Sequence, residues 1–477
     1  MSAYPLRGFD LQNTAIQANP YPAYAWLRDN APLYKLDGVP MWVVSRHAEI
    51  DAILRDPTTY ASNLDMHVPL MSIVMLDAPD HTRLRQTVNR AFTPRAVRYL
   101  EPRIAEIAEA LLDAAPLAMD FVHGFANPLS VTIICEMLGV PLDQRDGMNR
   151  YARDALLASF AATGMGSREL LAEAQVGLDR LMAILDAAIE THLARPTDNI
   201  ISTLVAEEAR GVLTRQELRH LCALLLIGGH ETTANLIASG AHLLARQPAL
   251  WQRLKRDAAL VPRFVEELVR LYPPLQRIAR RTTRPVELAG VALPANTILM
   301  LFPGSANRDS ARWPDADTLD LERDAKGHLG FGAGVHACPG APLARMEARI
   351  AFEVLLRRTA SLRLDPAQLA IPVAGYAAGN LGWNKLPLIR TEEAMPGDDM
   401  FETVRTVVAD QLGLEPGAIR PDTCAKNTPE WDSLAHLMIL DGLEKRFGVS
   451  LPRLAAFKAK DAGELSALVA AARAGQR

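Results

Sequence analysis

Apolar residues recur at three- and four-residue spacing over Arg95 to Leu112, Arg168 to Leu193, Arg215 to Leu244, Pro262 to Leu271 and Pro342 to Leu356. Each run predicts a helix with one buried face. Strand-like runs are short: Met41 to Val44, Val286 to Leu288 and Ile298 to Phe302. The stretch from Pro303 to Pro342 follows neither period and is dense in Gly, Pro, Asp and Asn, so it reads as a long irregular loop. Loops of that length are uncommon and often functional. The pattern breaks again near residue 391, at a polar segment holding a Pro-Gly pair. A new apolar stripe then begins: Met400, Phe401, Val404, Val407, Val408 and Leu412. A second run passes through Leu437, Met438, Ile439, Leu443 and Phe447, and a third helix is expected from about Asp461 to Arg473. The organisation expected is therefore a large, mainly α unit with small sheets over 1–390, a linker at 391–398, and a small helical bundle over 399–477.

Composition narrows the function. The chain has 477 residues, 49% hydrophobic and 22% charged, which are ordinary globular values. A net charge of −4 argues against a general nucleic-acid partner. Residues 391–477 hold 14 acids and 10 bases, so this tail carries the whole imbalance. No run of about 18 apolar residues suggests a membrane span, and the first residues lack a signal-peptide core. A cytoplasmic protein with no membrane partner is expected. Four cysteines do not make a disulfide framework. Cys135 and Cys222 fall in apolar helical runs and Cys424 in a loop.

Cys338 differs. It lies in Phe331-Gly-Ala-Gly-Val-His-Ala-Cys-Pro-Gly340, directly before a helix. Amides at a helix start point toward such a sulfur and predict a depressed pKa. Gly332, Gly334 and Gly340 remove side chains where a flat group would approach the backbone. A lone cysteine in a Gly-rich turn is ordinarily a buried free thiol. The whole pattern Phe-Gly-x-Gly-x-His-x-Cys-x-Gly, however, resembles the haem-binding loop of the cytochrome P450 family. That resemblance implies haem b, with Cys338 as the axial ligand of its iron. Thiolate ligation of haem iron pushes electron density onto the metal and favours O–O cleavage.

Three further segments resemble the same family in the same order, over about residues 1–390. Glu267-Leu-Val-Arg270 matches its Glu-x-x-Arg helix, and Arg323 would complete a structural triad bracing the cysteine loop. Gly228-Gly-His-Glu-Thr232 matches its oxygen-side helix, which the resemblance implies must open to admit dioxygen. There Glu231 and Thr232 would relay protons as catalytic residues, with Glu in place of the more usual Asp. His230 would either face the pocket or pack between helices. In Asp77-Ala-Pro-Asp-His-Thr-Arg-Leu-Arg85, His81 and Arg85 share a helix face. By resemblance they bind haem propionates together with Arg280 and His336. Arg280 is preferred to Arg281 by counting back from Val286-Glu-Leu-Ala-Gly290. The apolar segment Met66 to Leu76 is expected near the substrate pocket.

In the tail, Trp431-Asp-Ser-Leu434 at a helix start is similar to the acyl or peptidyl carrier protein motif, so the fold expected there is a carrier-protein four-helix bundle. Ser433 would carry a 4'-phosphopantetheine arm; the alternative is that Ser433 is only a helix cap. Lys445 and Arg446 make the following helix less acidic than in many carriers.

Together these features imply a monooxygenase that hydroxylates an acyl or aminoacyl group with O2, in secondary-metabolite biosynthesis. No nucleotide-binding G-x-G-x-x-G follows a strand, so electrons are expected from a ferredoxin and its reductase. The fused tail implies a phosphopantetheinyl transferase, an acyl-loading synthetase or synthase, and a substrate tethered on Ser433. The alternatives are oxidation of a free small molecule or of a carrier in another protein, and a carrier scaffold whose haem unit only recruits partners.

Overall fold

The computed structural model describes residues 13, 16, 18–65, 69–92, 94–145, 147–161, 168–373, 380–392 and 398–474. Most of the linker expected at 391–398 lies outside them, as do residues 66–68 of the expected pocket segment. Pro69–Met75 of that segment forms a 3-10 helix. The chain divides into two compact units, one ending at Thr391 and one beginning at Glu392.

The first unit is built around the helix Arg215–Arg246. Thr214 caps it: its hydroxyl accepts from the Glu217 amide while the Glu217 carboxylate reaches back to the Thr214 amide. Most of its length is buried, so this central helix is apolar on nearly all sides. It is long and apolar enough to cross a membrane, but 67% of its most apolar window lies inside the unit, as in a core helix. Asn127–Leu138 packs along it, and so does Ala341–Arg358, the helix that follows the cysteine loop.

A five-stranded sheet lies in the order Leu33–Lys35, Met41–Val44, Ile298–Leu301, Ile278–Thr282, Tyr60–Ala61. Its one parallel pairing sets Met41 opposite Ile298, and Arg280 stands opposite Leu299 in the antiparallel ladder. A three-stranded sheet joins Ala118–Asp120, Pro387–Glu392 and Thr359–Leu364.

Two expectations change. The run Arg95 to Leu112 is two helices, Pro94–Tyr99 and Glu101–Ala114. Pro102 in the first turn of the second has no amide for the ladder and its ring clashes with the carbonyl four residues back, so one continuous helix cannot form. The loop from Pro303 contains two short helical turns, Pro303–Ala306 and Gly334–His336.

Among the described residues the second unit has four α-helices, Asp398–Leu412, Ser433–Phe447, Arg453–Lys458 and Ala462–Ala474, and a 3-10 turn, Pro416–Ala418. The third α-helix is shorter than any the apolar pattern suggested. Val404, Val408, Ile439, Leu443, Leu465 and Val469 are fully buried at the centre of this bundle.

Candidate active site

The cysteine loop is held by its own backbone. The Cys338 amide donates to the Phe331 carbonyl at 2.9 Å, and Gly334 adopts φ +69° with the Leu54 carbonyl 2.1 Å from where a Cβ would stand. No other residue fits there. Cys338 keeps accessible surface although the surrounding chain desolvates its thiol. Burial pushes its thiol upward. The amides of Gly340 and Ala341 and the charges of Arg85 and Arg345 pull the other way without prevailing. The depressed pKa expected from the helix start alone is therefore corrected. The amides do point at the sulfur, but local sequence does not reveal how strongly desolvation opposes them.

Beside this loop the structure brings together four donors from distant segments. The ring centroids of His81 and His336 lie 3.9 Å apart with the planes tilted by 38°, and Ser62 Oγ lies 2.9 Å from His336 Nε2. Arg85 donates to the Ala337 carbonyl at 2.5 Å, one residue before the cysteine. Arg280 is nearly buried and donates to its neighbour's carbonyl, Ala279 O. Burial and the mutual repulsion of these groups push His336 down to about 3, while burial lowers Arg280 to about 10. His81 is also lowered, by burial and then by Arg85 and Arg280, and its buried Nε2 has no hydrogen-bond partner. Asp77 opposes this positive potential, but its carboxylate already accepts the amides of Ser62 and Asn63. Of these four residues only His81 keeps a buried nitrogen without a hydrogen-bond partner, and the two arginine charges beside it suit a group bearing two carboxylates.

On the central helix, the two adjacent glycines act differently. A Cβ at Gly229 would stand 2.8 Å from the Ile134 side chain, so Gly229 permits close helix packing. A Cβ at Gly228 would meet nothing within 4 Å, and Gly228 is exposed in the middle of an otherwise buried helix. Gly229→Ala is therefore expected to destabilise the protein by about 1–3 kcal/mol through overpacking. Gly228→Ala should stabilise it by up to about 1 kcal/mol, because Ala is the better helix former. Thermal denaturation of the two variants checks the contrast.

The helix itself is continuous from Arg215 to Arg246. Thr232 Oγ1 donates to the Gly228 carbonyl at 2.9 Å, which keeps the side chain against the helix ladder. Glu231 is bonded by the Asn380 side chain, and burial raises its pKa against the opposing pull of Asn380 and Arg153. His230 is buried, bonds the Leu226 carbonyl of its own helix through Nδ1, and is pushed down to about 4 by burial.

Arg270 is fully buried, and all five of its N–H donors are used. Nε and Nη2 grip Glu267 at 2.6 and 2.9 Å, while the remaining donors reach the carbonyls of Asn307, Ala316 and Thr318. Glu267 also accepts from the Asp320 amide and from Arg323 at 3.4 Å. The helix Val261–Leu271 thereby pins the irregular loop that leads to Cys338.

Sequence reasoning missed a neighbouring cluster. Glu266, on the same helix, bonds Arg345 and His328. Acids and arginines are common on helix surfaces, and no local signal marks this pair.

In the second unit, Asp432 Oδ1 accepts from the Ala435 amide at 2.8 Å and is the cap of Ser433–Phe447. Ser433 is the first helical residue and is exposed. Trp431 Nε1 donates to His436 Nδ1 at 3.0 Å, and His436 Nε2 reaches the Ala456 carbonyl at 3.1 Å, tying this helix start to the short third helix.

Among known proteins, the cytochrome P450 family model matches residues 172–364, all within the first unit. The chain is 35% identical to cytochrome P450 monooxygenase PikC of Streptomyces venezuelae over 397 residues, 80% of this chain and 91% of that protein. It is 35% identical to the erythromycin C-12 hydroxylase of Saccharopolyspora erythraea over 348 residues, covering 71% of this chain and 87% of that one. Among solved structures, P450BioI in complex with an acyl carrier protein ligated to hexadec-9Z-enoic acid superposes with a TM-score of 0.72. The two are 30% identical, with 79% of this chain and 99% of that one covered. With this likeness extending over nearly the whole length of such relatives, the chain belongs to the cytochrome P450 family and is a P450 monooxygenase, an oxidoreductase.

Proposed function

We propose that Cys338 is the axial ligand of a haem b iron and that His81, Arg85, Arg280 and His336 hold the haem propionates. Family membership implies the haem, and the residues fit it. An accessible cysteine with the Gly340 and Ala341 amides aimed at its sulfur adjoins two histidines and two arginines drawn from separate segments. The two arginines gathered beside the loop, with the unpartnered His81 Nε2 near them, carry the reading. Bound haem supplies the activation of O2, and a thiolate ligand favours O–O cleavage. Overall, substrate, O2, two electrons and two protons give hydroxylated substrate and water.

The chain's own groups handle the protons. Glu231 sits where burial favours its neutral acid, so it can give up a proton and regain one from solvent. The Thr232 hydroxyl turns from the Gly228 carbonyl to pass that proton on. Glu267, Arg270 and Arg323 hold the loop rather than react. Electrons come from a ferredoxin and ferredoxin reductase.

In the second unit, Ser433 carries 4'-phosphopantetheine, added by a phosphopantetheinyl transferase, and a loading synthetase or synthase attaches an acyl or aminoacyl group. The observation behind this is that Asp432, not Ser433, caps the helix, which leaves an exposed hydroxyl at its start. P450BioI, solved with a loaded acyl carrier protein, supports a P450 taking substrate from a carrier. Relatives named for PikC and erythromycin hydroxylation support a place in antibiotic biosynthesis. A tethered substrate reaches an effective concentration in the mM range when the geometry permits. Because P450BioI was solved in complex with an acyl carrier protein, oxidation of a carrier in another protein is the second reading.

Two measurements test this. The reduced protein with carbon monoxide should show the long-wavelength band of thiolate-bound haem. Incubation with a phosphopantetheinyl transferase and coenzyme A should add one phosphopantetheinyl group, seen by intact mass. Ser433→Ala should remain unmodified and turn over only untethered substrate; equal turnover of the loaded wild type and of Ser433→Ala given the free acid would overturn tethering.

A further inference from the structure

We infer that Arg345 is a positioning residue for Cys338, clamped by Glu266 against the ring of Phe331. This rests on the assignment of Cys338 as the iron ligand. Arg345 lies one turn into the helix that follows the cysteine, Ala341–Arg358. Its Nε and Nη2 meet Glu266 Oε1 and Oε2 at 2.5 and 3.1 Å, a two-pronged grip that fixes the plane of the guanidinium. That plane lies over Phe331, with the guanidinium carbon 4.5 Å from the ring centroid. The Phe331 carbonyl in turn accepts the Cys338 amide at 2.9 Å. On the other side His328, itself bonded by the Gly330 amide, meets Glu266 Oε2 at 3.2 Å.

Three elements are thereby closed into one ring: the helix carrying Glu267 and Arg270, the cysteine loop, and the helix after it. The ring borders a cleft of about 810 Å³, so it is reachable from solvent. Against the upward push of burial, His328 and Arg345 hold Glu266 down at about 2, so the pair stays ionised across the working range. Arg345 also places its positive charge over the Phe331 ring, on the loop that carries Cys338. It therefore acts in two ways, by holding the Phe331 carbonyl in place and by lending positive potential to the ligand.

The two partners of this ion pair affect the iron with opposite sign. Removing Arg345 takes positive charge away and favours the ferric state. Removing the charge of Glu266 leaves Arg345 uncompensated and favours the ferrous state. A clamp that served only to hold the fold would give both variants the same direction of change. The experiment is a mediator-based redox titration of the full-length, haem-loaded protein without a protein partner, on the wild type, Arg345→Met, Arg345→Lys and Glu266→Gln. The carbon monoxide band and thermal midpoint are recorded alongside.

At a fixed potential, Arg345→Met should raise the ferric-to-ferrous ratio at least threefold and Glu266→Gln should lower it. Arg345→Lys keeps the charge and should restore most of the wild-type ratio, although it loses the planar grip. Unchanged ratios, or shifts in one direction for both Arg345→Met and Glu266→Gln, would overturn the inference. If Arg345→Met fails to hold haem, Glu266→Gln decides alone, and a ratio that stays or rises overturns it. A wild type without the thiolate-type band would instead overturn the Cys338 assignment and take this inference with it.

Discussion

Cys338→Ser is expected to abolish the thiolate-type carbon monoxide band and O2-driven turnover together, while leaving the fold in place. Oxygen and sulfur differ little in size here, and the backbone that shapes the loop does not depend on the side chain: the residue 338 amide still reaches the Phe331 carbonyl, and Gly334 still clears Leu54. What changes is the ligand. Even for the cysteine, burial keeps the thiol above its usual pKa despite two amides and two arginines. A serine hydroxyl ionises far less readily in the same surroundings, so it presents a weaker donor to the iron. The band should move to shorter wavelength, and dioxygen-dependent product should fall to background. The four donors at His81, Arg85, Arg280 and His336 are untouched, so haem content should drop less than activity. Pyridine-haemochrome quantitation beside the carbon monoxide spectrum separates the two effects. An unaltered long-wavelength band in the serine variant would refute the ligand assignment and the site built on it.

Legibility in the sequence followed how local each determinant is. The cysteine loop could be read because its whole ten-residue pattern resembles a known family's, although Gly334 and His336 answer to Leu54, Ser62 and His81 far away in the chain. The central helix was readable to within two residues of its end, since apolar period and capping box both lie on the surface of the sequence. What local pattern could not supply was depth. The direction of the Cys338 shift was misjudged because desolvation depends on everything packed around the loop, not on the helix start beside it. The Arg95 to Leu112 run was read as one helix although Pro102 was in plain view; period was allowed to outweigh a missing amide. At Asp432-Ser433, either residue can cap a helix, and only the bond from the Ala435 amide distinguishes them. The Glu266, His328 and Arg345 cluster was invisible because its members lie 62 and 79 residues apart and each alone is an ordinary surface charge.

The other large effect is expected at Arg270. Arg270→Leu should destabilise the first unit by about 3–5 kcal/mol, the range for breaking a buried ion pair by removing one partner. The loss has two parts. Glu267, itself almost wholly buried, keeps only the Asp320 amide and the longer bond from Arg323. The carbonyls of Asn307, Ala316 and Thr318 lose their donors at the same moment, and they belong to the irregular stretch that has little secondary structure of its own to hold it. Arg270→Lys should recover only a small part, because one ammonium cannot supply five donors in a plane. Since the same stretch leads into the cysteine loop, haem should be released at a lower denaturant concentration than the one that unfolds the helices. Following the Soret band and far-ultraviolet circular dichroism in one urea titration tests this. Separation of the two transitions in Arg270→Leu, with coincidence in the wild type, is the expected result. Coincident transitions in both, at an unchanged midpoint, would show that the triad neither stabilises the unit nor braces the ligand loop.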